Sequence, residues 1–278
     1  MYKMDAKKRK FKLYLLGGSI ILAMVFFLLY STFLSIIQYT LNDIQGIWAS
    51  VIASVIRIVI LAIMSIILFN KWFKQEAIFT SDAYFLFALF FMVLAVGKVY
   101  DLFYNLILVS QLIDDIVLLF LVKIRYIIIV FNILPVLYIG LQATMTLTSV
   151  YIKELTKEQF NKIRLSIVIL FLMLISIIIL IAPDITFLIR VLPYLTFAIF
   201  IALAIMFLFM YKNKHLSQAN GLIIGIAFFA FIGSNIFRSI FSVEAMNEPS
   251  LFLVIEGLDI IVNTMMFIGF IRKPKYAR

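Results

Sequence analysis

Apolar residues in this chain run in long unbroken stretches, interrupted by short polar segments. The stretches cover residues 11–37, 47–70, 83–109, 120–147, 164–182, 186–210, 220–242 and 251–271. Each approaches or exceeds the roughly 20 residues that a helix needs to cross a hydrocarbon core about 30 Å thick. None shows the period-two alternation of a transmembrane β-barrel. The pattern predicts an all-α polytopic membrane protein with eight transmembrane helices. Mean hydropathy is +1.16. Only 14% of the 278 residues are charged, well below a soluble domain's usage. Too little chain remains between the stretches to form a separate catalytic or nucleic-acid-binding domain.

Charge orients the spans. Eighteen of the 24 lysines and arginines fall in the tails, in alternate connections or at the first residues of the spans that adjoin them, among them Lys7-Lys8-Arg9-Lys10, Lys71, Lys74, Lys153, Lys157, Lys212, Lys214 and Arg272-Lys273. The intervening connections carry Asp43, Asp114, Asp115, Asp184, Glu244 and Glu248, and no basic residue. The positive-inside rule then places both termini in the cytoplasm and the protein in the cell membrane. The net charge of +10 belongs to these span ends. Its expected partner is the anionic leaflet of the lipid bilayer, not nucleic acid. The first apolar run is too long for a signal-peptide core and ends without a small-residue cleavage site, so it reads as a retained span.

Composition also removes chemistry. The chain has no cysteine, which excludes disulfides, thiol catalysis and thiolate metal sites. Its single histidine, His215, lies in a basic connection. No G-x-S-x-G, H-E-x-x-H, P-loop or dinucleotide fingerprint occurs. No cofactor, no metal and no catalytic set is expected.

The two halves of the chain, 1–149 and 150–278, carry related marks. Leu61-Ala62-Ile63-Met64 matches Leu203-Ala204-Ile205-Met206, Gly97 matches Gly233, Asn132 matches Asn263, and Lys12 matches Arg164, at offsets of 142, 136, 131 and 152. Arg125 precedes Asn132, and Glu256 precedes Asn263, by seven residues each. Four spans per half would make a parallel 4+4 tandem repeat about an axis along the membrane normal.

Ionisable residues inside spans cost several kcal/mol unless they meet a partner or water. They are Arg57, Lys98, Asp101, Lys123, Arg125, Arg190, Arg238, Glu256 and Asp259. Under the orientation above, all but Arg57 fall in the outer half. Arg57 lies about 15 Å down, ten residues into its span at 1.5 Å each. Glu256, Asp259 and Asn263 form a stripe at i, i+3 and i+7, and Asn235 with Arg238 forms a shorter one. The expected pairs are Arg125 with Glu256, Arg238 with Asp259 or Asp101, and Lys98 with Asp101. Arg57 is expected at the floor of an outward-facing cavity, with a salt bridge to Asp259 as the alternative. Lys123 and Arg190 are expected to snorkel. Pro135 and Pro193 are expected to kink their helices, Gly17-Gly18 to allow close helix packing, and Thr144, Thr146 and Thr148 to be interfacial.

Six span cations face three span carboxylates, a surplus that would attract an anion in a wet cavity. The expected ligand-binding set is Arg57, Lys98, Asp101, Arg125, Arg238, Glu256, Asp259, Asn132 and Asn263. The leading expectation is a transporter- or permease-like protein with an outward-facing site for an anionic or zwitterionic small molecule or a lipid headgroup. The alternatives are a ligand- or lipid-sensing receptor or accessory subunit that signals through a partner protein, and an intramembrane enzyme built on paired carboxylates.

Overall fold

The computed structural model describes residues 2–151, 156–214, 216, 219–241 and 249–277. Lys153, His215, Glu244 and Glu248 lie outside the described residues. So do the side chains of Lys7, Thr144, Thr146, Thr148, Lys157, Arg190 and Pro193. The described chain is helical, with no strand: α1 (Tyr2–Thr32), α2 (Leu34–Asp43), α3 (Ile47–Phe73), α4 (Ala83–Ser110), α5 (Asp115–Tyr151), α6 (Lys157–Ile181), α7 (Ile185–Lys212), α8 (Gly221–Ile240) and α9 (Pro249–Ile271), with a 3₁₀ turn at Lys275–Ala277. Among the described residues seven helices are long and apolar enough to cross a membrane, and Thr196–Lys212 of α7 forms a shorter apolar helix. The protein is therefore an integral, multi-pass membrane protein by length and composition.

Local chemistry sets the ends. Asp82 caps α4 by accepting from the Tyr84 N–H at 2.8 Å, and Asp184 caps α7 by accepting from the Phe187 N–H at 2.7 Å. Thr156 and Gln159 form a reciprocal capping box at the start of α6. Gly46 precedes α3 at φ 80°, a left-handed conformation that a β-carbon would strain. The first span stops earlier than its apolar run. Thr32 donates back to the Leu28 carbonyl at 2.9 Å, Phe33 leaves the helix, and α2 starts on a new axis. α2 then packs on α4, where the Thr40 hydroxyl donates to the Leu106 carbonyl at 3.0 Å. Both α5 and α7 remain helical through Pro135 and Pro193.

Six helices close a ring. α3 packs on α4, α4 on α5, α5 on α7, α7 on α8, α8 on α9, and α9 returns to α3. α6 lies outside against α5, and α1 lies outside with little helix-to-helix packing. α7, α8 and α9 approach closely because glycines face the contacts. A β-carbon on Gly225 would fall 2.7 Å from Leu208 Cγ, and one on Gly269 would fall 2.7 Å from Ile224 Cγ1. Gly17 and Gly18 do not serve this purpose, since no atom lies within 4 Å of a β-carbon on either. Their helix has no close neighbour at that level.

One end of the ring gathers both termini. Lys8 Nζ donates to the Gln75 carbonyl at 2.8 Å, and Phe11 packs edge-on to Trp72. Phe270 stacks on Phe87, the Asn220 N–H donates to the Gly269 carbonyl at 2.7 Å, and the Tyr276 hydroxyl donates to the Leu216 carbonyl at 2.8 Å. The N-terminal helix, the 74–82 turn, the 213–220 turn and the C-terminal segment thus share this end. It is filled by a dry aromatic core that includes Trp72, Phe87, Phe90, Phe91, Phe228 and Phe270.

Candidate functional site

The polar residues of the spans collect in the other half of the ring. Arg57 comes from α3, Lys98 and Asp101 from α4, Arg125 and Asn132 from α5, Ser234 and Arg238 from α8, and Glu256, Asp259 and Asn263 from α9. Glu256 and Asp259 stand one turn apart, so both reach the same cations. Arg57 Nη1 lies 3.1 Å from Glu256 Oε2 and 2.5 Å from Asp259 Oδ2. Lys98 Nζ lies 2.5 Å from Glu256 Oε1. Arg238 lies 3.3 Å from Glu256 Oε1 and also pairs with Asp259 Oδ2. The Ser234 hydroxyl donates to Asp259 Oδ1. Glu256 is 1% exposed, Asp259 and Lys98 3%, and Arg57 7%. Three cations therefore share two carboxylates; Arg57 and Lys98 are buried with them, and the Arg238 side chain is 24% exposed.

A second pair stands beside this cluster. Arg125 Nε donates to Asp101 Oδ1 at 2.6 Å, and the Arg125 guanidinium sits 5.3 Å from the Tyr104 ring centre. This corrects the expected pairing of Arg125 with Glu256 and of Lys98 with Asp101. Helix adjacency is the reason: α5 packs on α4, which carries Asp101, whereas α9 packs on α3 and α8 and sends Glu256 among their cations. Arg238 takes Asp259, one of its two expected partners, and Arg57 makes the salt bridge to Asp259. Lys123 stays out of the cluster and donates to the Leu180 carbonyl at 2.9 Å on an exposed face.

A cavity of about 70 Å³ opens between the two groups, lined by Arg57, Gly97, Lys98, Asp101, Arg125 and Asn132 with apolar residues of α4 and α5. Polar atoms around it are left over. Arg57 Nε and Asn132 Oδ1 in its lining are buried without a hydrogen-bond partner among the described residues, and so, outside the lining, are Ser54 Oγ and both amide atoms of Asn263. Buried polar atoms are ordinarily paired, so each marks a place for water or a ligand. Asn132 and Asn263 lie beyond the charges, toward the aromatic core, by about two turns of α5 and α9 from Arg125 and Glu256.

Ser234 is a site residue the sequence reading missed. Serine is common in spans, so identity carries no signal. Position does: Ser234 is four residues before Arg238 on one face of α8. Asn235, expected in that stripe, points its amide at its own helix and donates to the Phe231 carbonyl at 2.9 Å. Among the described residues no group of acidic or histidine side chains is arranged to hold a metal ion.

No protein-family model, no curated protein and no solved structure matches the chain. The functional reading therefore rests on the geometry above.

Proposed function

We propose that this protein is a membrane transporter of small zwitterionic or anionic solutes, and that the cavity between Arg57, Arg125 and Asn132 receives the solute's carboxylate. The observation that carries the reading is the charge imbalance. Among the described residues, Arg57, Lys98, Arg125 and Arg238 pair with Asp101, Glu256 and Asp259, four cations with three carboxylates. Arg57 and Lys98 are buried while Arg125 and Arg238 are about a quarter exposed, so the surplus positive charge lies where a solute can reach it, and an incoming carboxylate offsets it. The unpartnered Arg57 Nε is a donor for that carboxylate, and the unpartnered Asn132 Oδ1 is an acceptor for an ammonium group. A site with both favours a zwitterion of amino-acid type over a plain anion. At about 70 Å³ the cavity holds roughly two waters' worth of volume. It accommodates the charged end of such a solute, and the rest enters as the ring opens.

The six ring helices are compatible with a 4+4 architecture of eight spans, but the outer helices do not follow it: α6 packs on α5, whereas α1 has no comparable contact with α9. The order of contacts is unchanged when α3, α4 and α5 are exchanged with α7, α8 and α9. The α9-to-α3 contact corresponds to the α5-to-α7 contact under that exchange. Both termini share the end that carries the basic turns, which supports cytoplasmic termini.

A second reading is a ligand-sensing subunit that signals through a partner protein. The aromatic plug between the site and the terminal end favours it, because a solute path on that side is closed. An enzyme is the weakest reading, since Asp101 and Asp259 are each held by arginine and do not face one another as a dyad.

The test is thermal stabilisation of the purified protein by glycine, alanine, betaine, lactate and acetate, followed by uptake into proteoliposomes. A ligand at a hundred times its Kd stabilises by about 2.7 kcal/mol. Asn132→Ala breaks no ion pair, so it should fold as wild type and lose the zwitterion's effect. Stabilisation without uptake selects the sensor. Neither effect with any of the five ends the proposal.

A further inference from the structure

A second cavity, larger than the charged one, lies elsewhere in the molecule. It is a crevice of about 1010 Å³ between α1 and the α3–α4 hairpin. α1 is held most firmly near its two ends. Near the basic end Phe11 packs on Trp72 and Phe85, and Lys8 bonds to the 74–82 turn. Near the other end the Tyr30 hydroxyl donates to the Val99 carbonyl at 3.1 Å, and Tyr30 and Phe33 pack on Phe103. The 19 residues between Phe11 and Tyr30 span about 28 Å of helix. Along this length Leu15, Ser19, Leu22, Ala23 and Phe26 line the gap, and a β-carbon on Gly17 or Gly18 would meet no atom within 4 Å.

The crevice is apolar along its length and polar at one end. Among the described residues Lys12 is the only charged one that lines it, and Asn70 stands at the same end, one residue before Lys71. Lys12 Nζ sits 5.3 Å from the centre of the Phe73 ring. Among the described residues neither Lys12 nor Asn70 has a hydrogen-bonding or ionic partner for its side chain. Ser19 and Ser65 return their hydroxyls to helix carbonyls at 2.8 Å, so the walls behave as apolar surface. No carboxylate lines the crevice.

The geometry points to a binding site for one anionic phospholipid, with its phosphate against Lys12 and Asn70 and its acyl chains lying between α1 and the hairpin. Three features select that occupant. The polar end lies where the basic residues Lys8, Lys71 and Lys74 mark the headgroup level. The slot extends from that level into the hydrocarbon, as an acyl chain does. The single unpaired cation at its mouth complements a phosphate, and basic pockets at helix ends are the usual seats of such headgroups. A partner's apolar helix could fill the slot but would leave Lys12 without an anion. The site is separate from the charged cavity and does not depend on the transport reading.

The test uses the full chain, delipidated in mild detergent and examined by native mass spectrometry with dioleoyl phosphatidylglycerol and dioleoyl phosphatidylcholine. Wild type should hold one phosphatidylglycerol in preference to phosphatidylcholine. Lys12→Gln should weaken phosphatidylglycerol about fivefold, the usual effect of one lysine near a lipid surface, and abolish most of the preference. Ala23→Trp should weaken both lipids by filling the slot while leaving the headgroup end intact. Lys10→Gln, at the same end but outside the crevice, should change neither. Equal losses in Lys10→Gln and Lys12→Gln would mean a diffuse surface attraction and overturn the site. Retention unchanged in both Lys12→Gln and Ala23→Trp would overturn it too. So would a wild-type dimer that binds no lipid and that Ala23→Trp dissociates.

Discussion

Arg57 and Asp259 lie 202 residues apart in sequence and 2.5 Å apart in the folded chain, joining α3 to α9 where the helix ring closes. Neither residue has another route to neutrality inside its own helix. The bond is therefore a closure device for the ring as well as part of the charged site. Removing Asp259 leaves Arg57, Lys98 and Arg238 around Glu256 alone. Asp259→Asn should cost about 3–5 kcal/mol, the usual penalty for orphaning a buried charge. Arg57→Gln should cost less, because it relieves the cationic surplus. The double substitution should be milder than the sum of the two. Detergent-solubilised thermal unfolding of the four proteins checks this, and additivity would show that the two residues do not interact.

Arg125 belongs to a different unit. Its carboxylate partner is Asp101 on the adjacent helix, and both are about a quarter exposed. Arg125→Ala combined with Glu256→Gln should be additive within about 0.5 kcal/mol, as for sites without shared partners. Arg125→Ala combined with Asp101→Ala should be clearly less than additive. The opposite ordering in the same unfolding assay would mean that Arg125 reaches Glu256 in the membrane.

The all-helical, multi-pass character and the identity of the charged residues were legible in the sequence, because apolar run length and the high cost of buried charge leave strong marks; eight spans were expected, and seven helices of membrane length stand among the described residues. The pairing was not. Which carboxylate meets which cation depends on helix order in space. Residue spacing places Lys98 and Asp101 on one face of α4 but cannot say that α9 inserts Glu256 beside Lys98. The detached position of α1 was also hidden. Gly17-Gly18 reads equally as a packing motif or as an empty face, and only the absence of a neighbouring helix decides. The break at Phe33 follows from a threonine hydrogen bond inside a run that is apolar on both sides.

Glycines of the second half should respond unequally to the same small change. Gly225→Ala puts a methyl 2.7 Å from Leu208 Cγ and 3.0 Å from the Ala204 carbonyl. Overpacking of this kind costs about 1–3 kcal/mol. Gly233→Ala meets nothing within 4 Å and should be near neutral, although Gly233 lies on the same helix only eight residues on. Thermal unfolding distinguishes the two. Equal tolerance would mean that α7 and α8 are further apart than the structure places them.

Topology offers the last prediction, and the chain's own composition makes it easy to test. The protein has no cysteine, so a single introduced thiol is the only labelling site. Gln75 and Lys273 lie at the end of the ring that gathers both termini, and Asp114 lies in the connection at the opposite end, between α4 and α5. Gln75→Cys and Lys273→Cys should therefore react alike, and Asp114→Cys should behave oppositely. The basic residues around Gln75 and Lys273 set the absolute direction: the positive-inside rule puts that end in the cytoplasm. In intact cells a membrane-impermeant maleimide should label Asp114→Cys and spare the other two until the cells are broken. Labelling of Gln75→Cys and Lys273→Cys from outside, with Asp114→Cys protected, would keep the ring but reverse its direction, and the charged site would then open to the cytoplasm. Labelling of Gln75→Cys and Asp114→Cys from one side would remove the crossing between them, which no ring containing α4 as a span can survive.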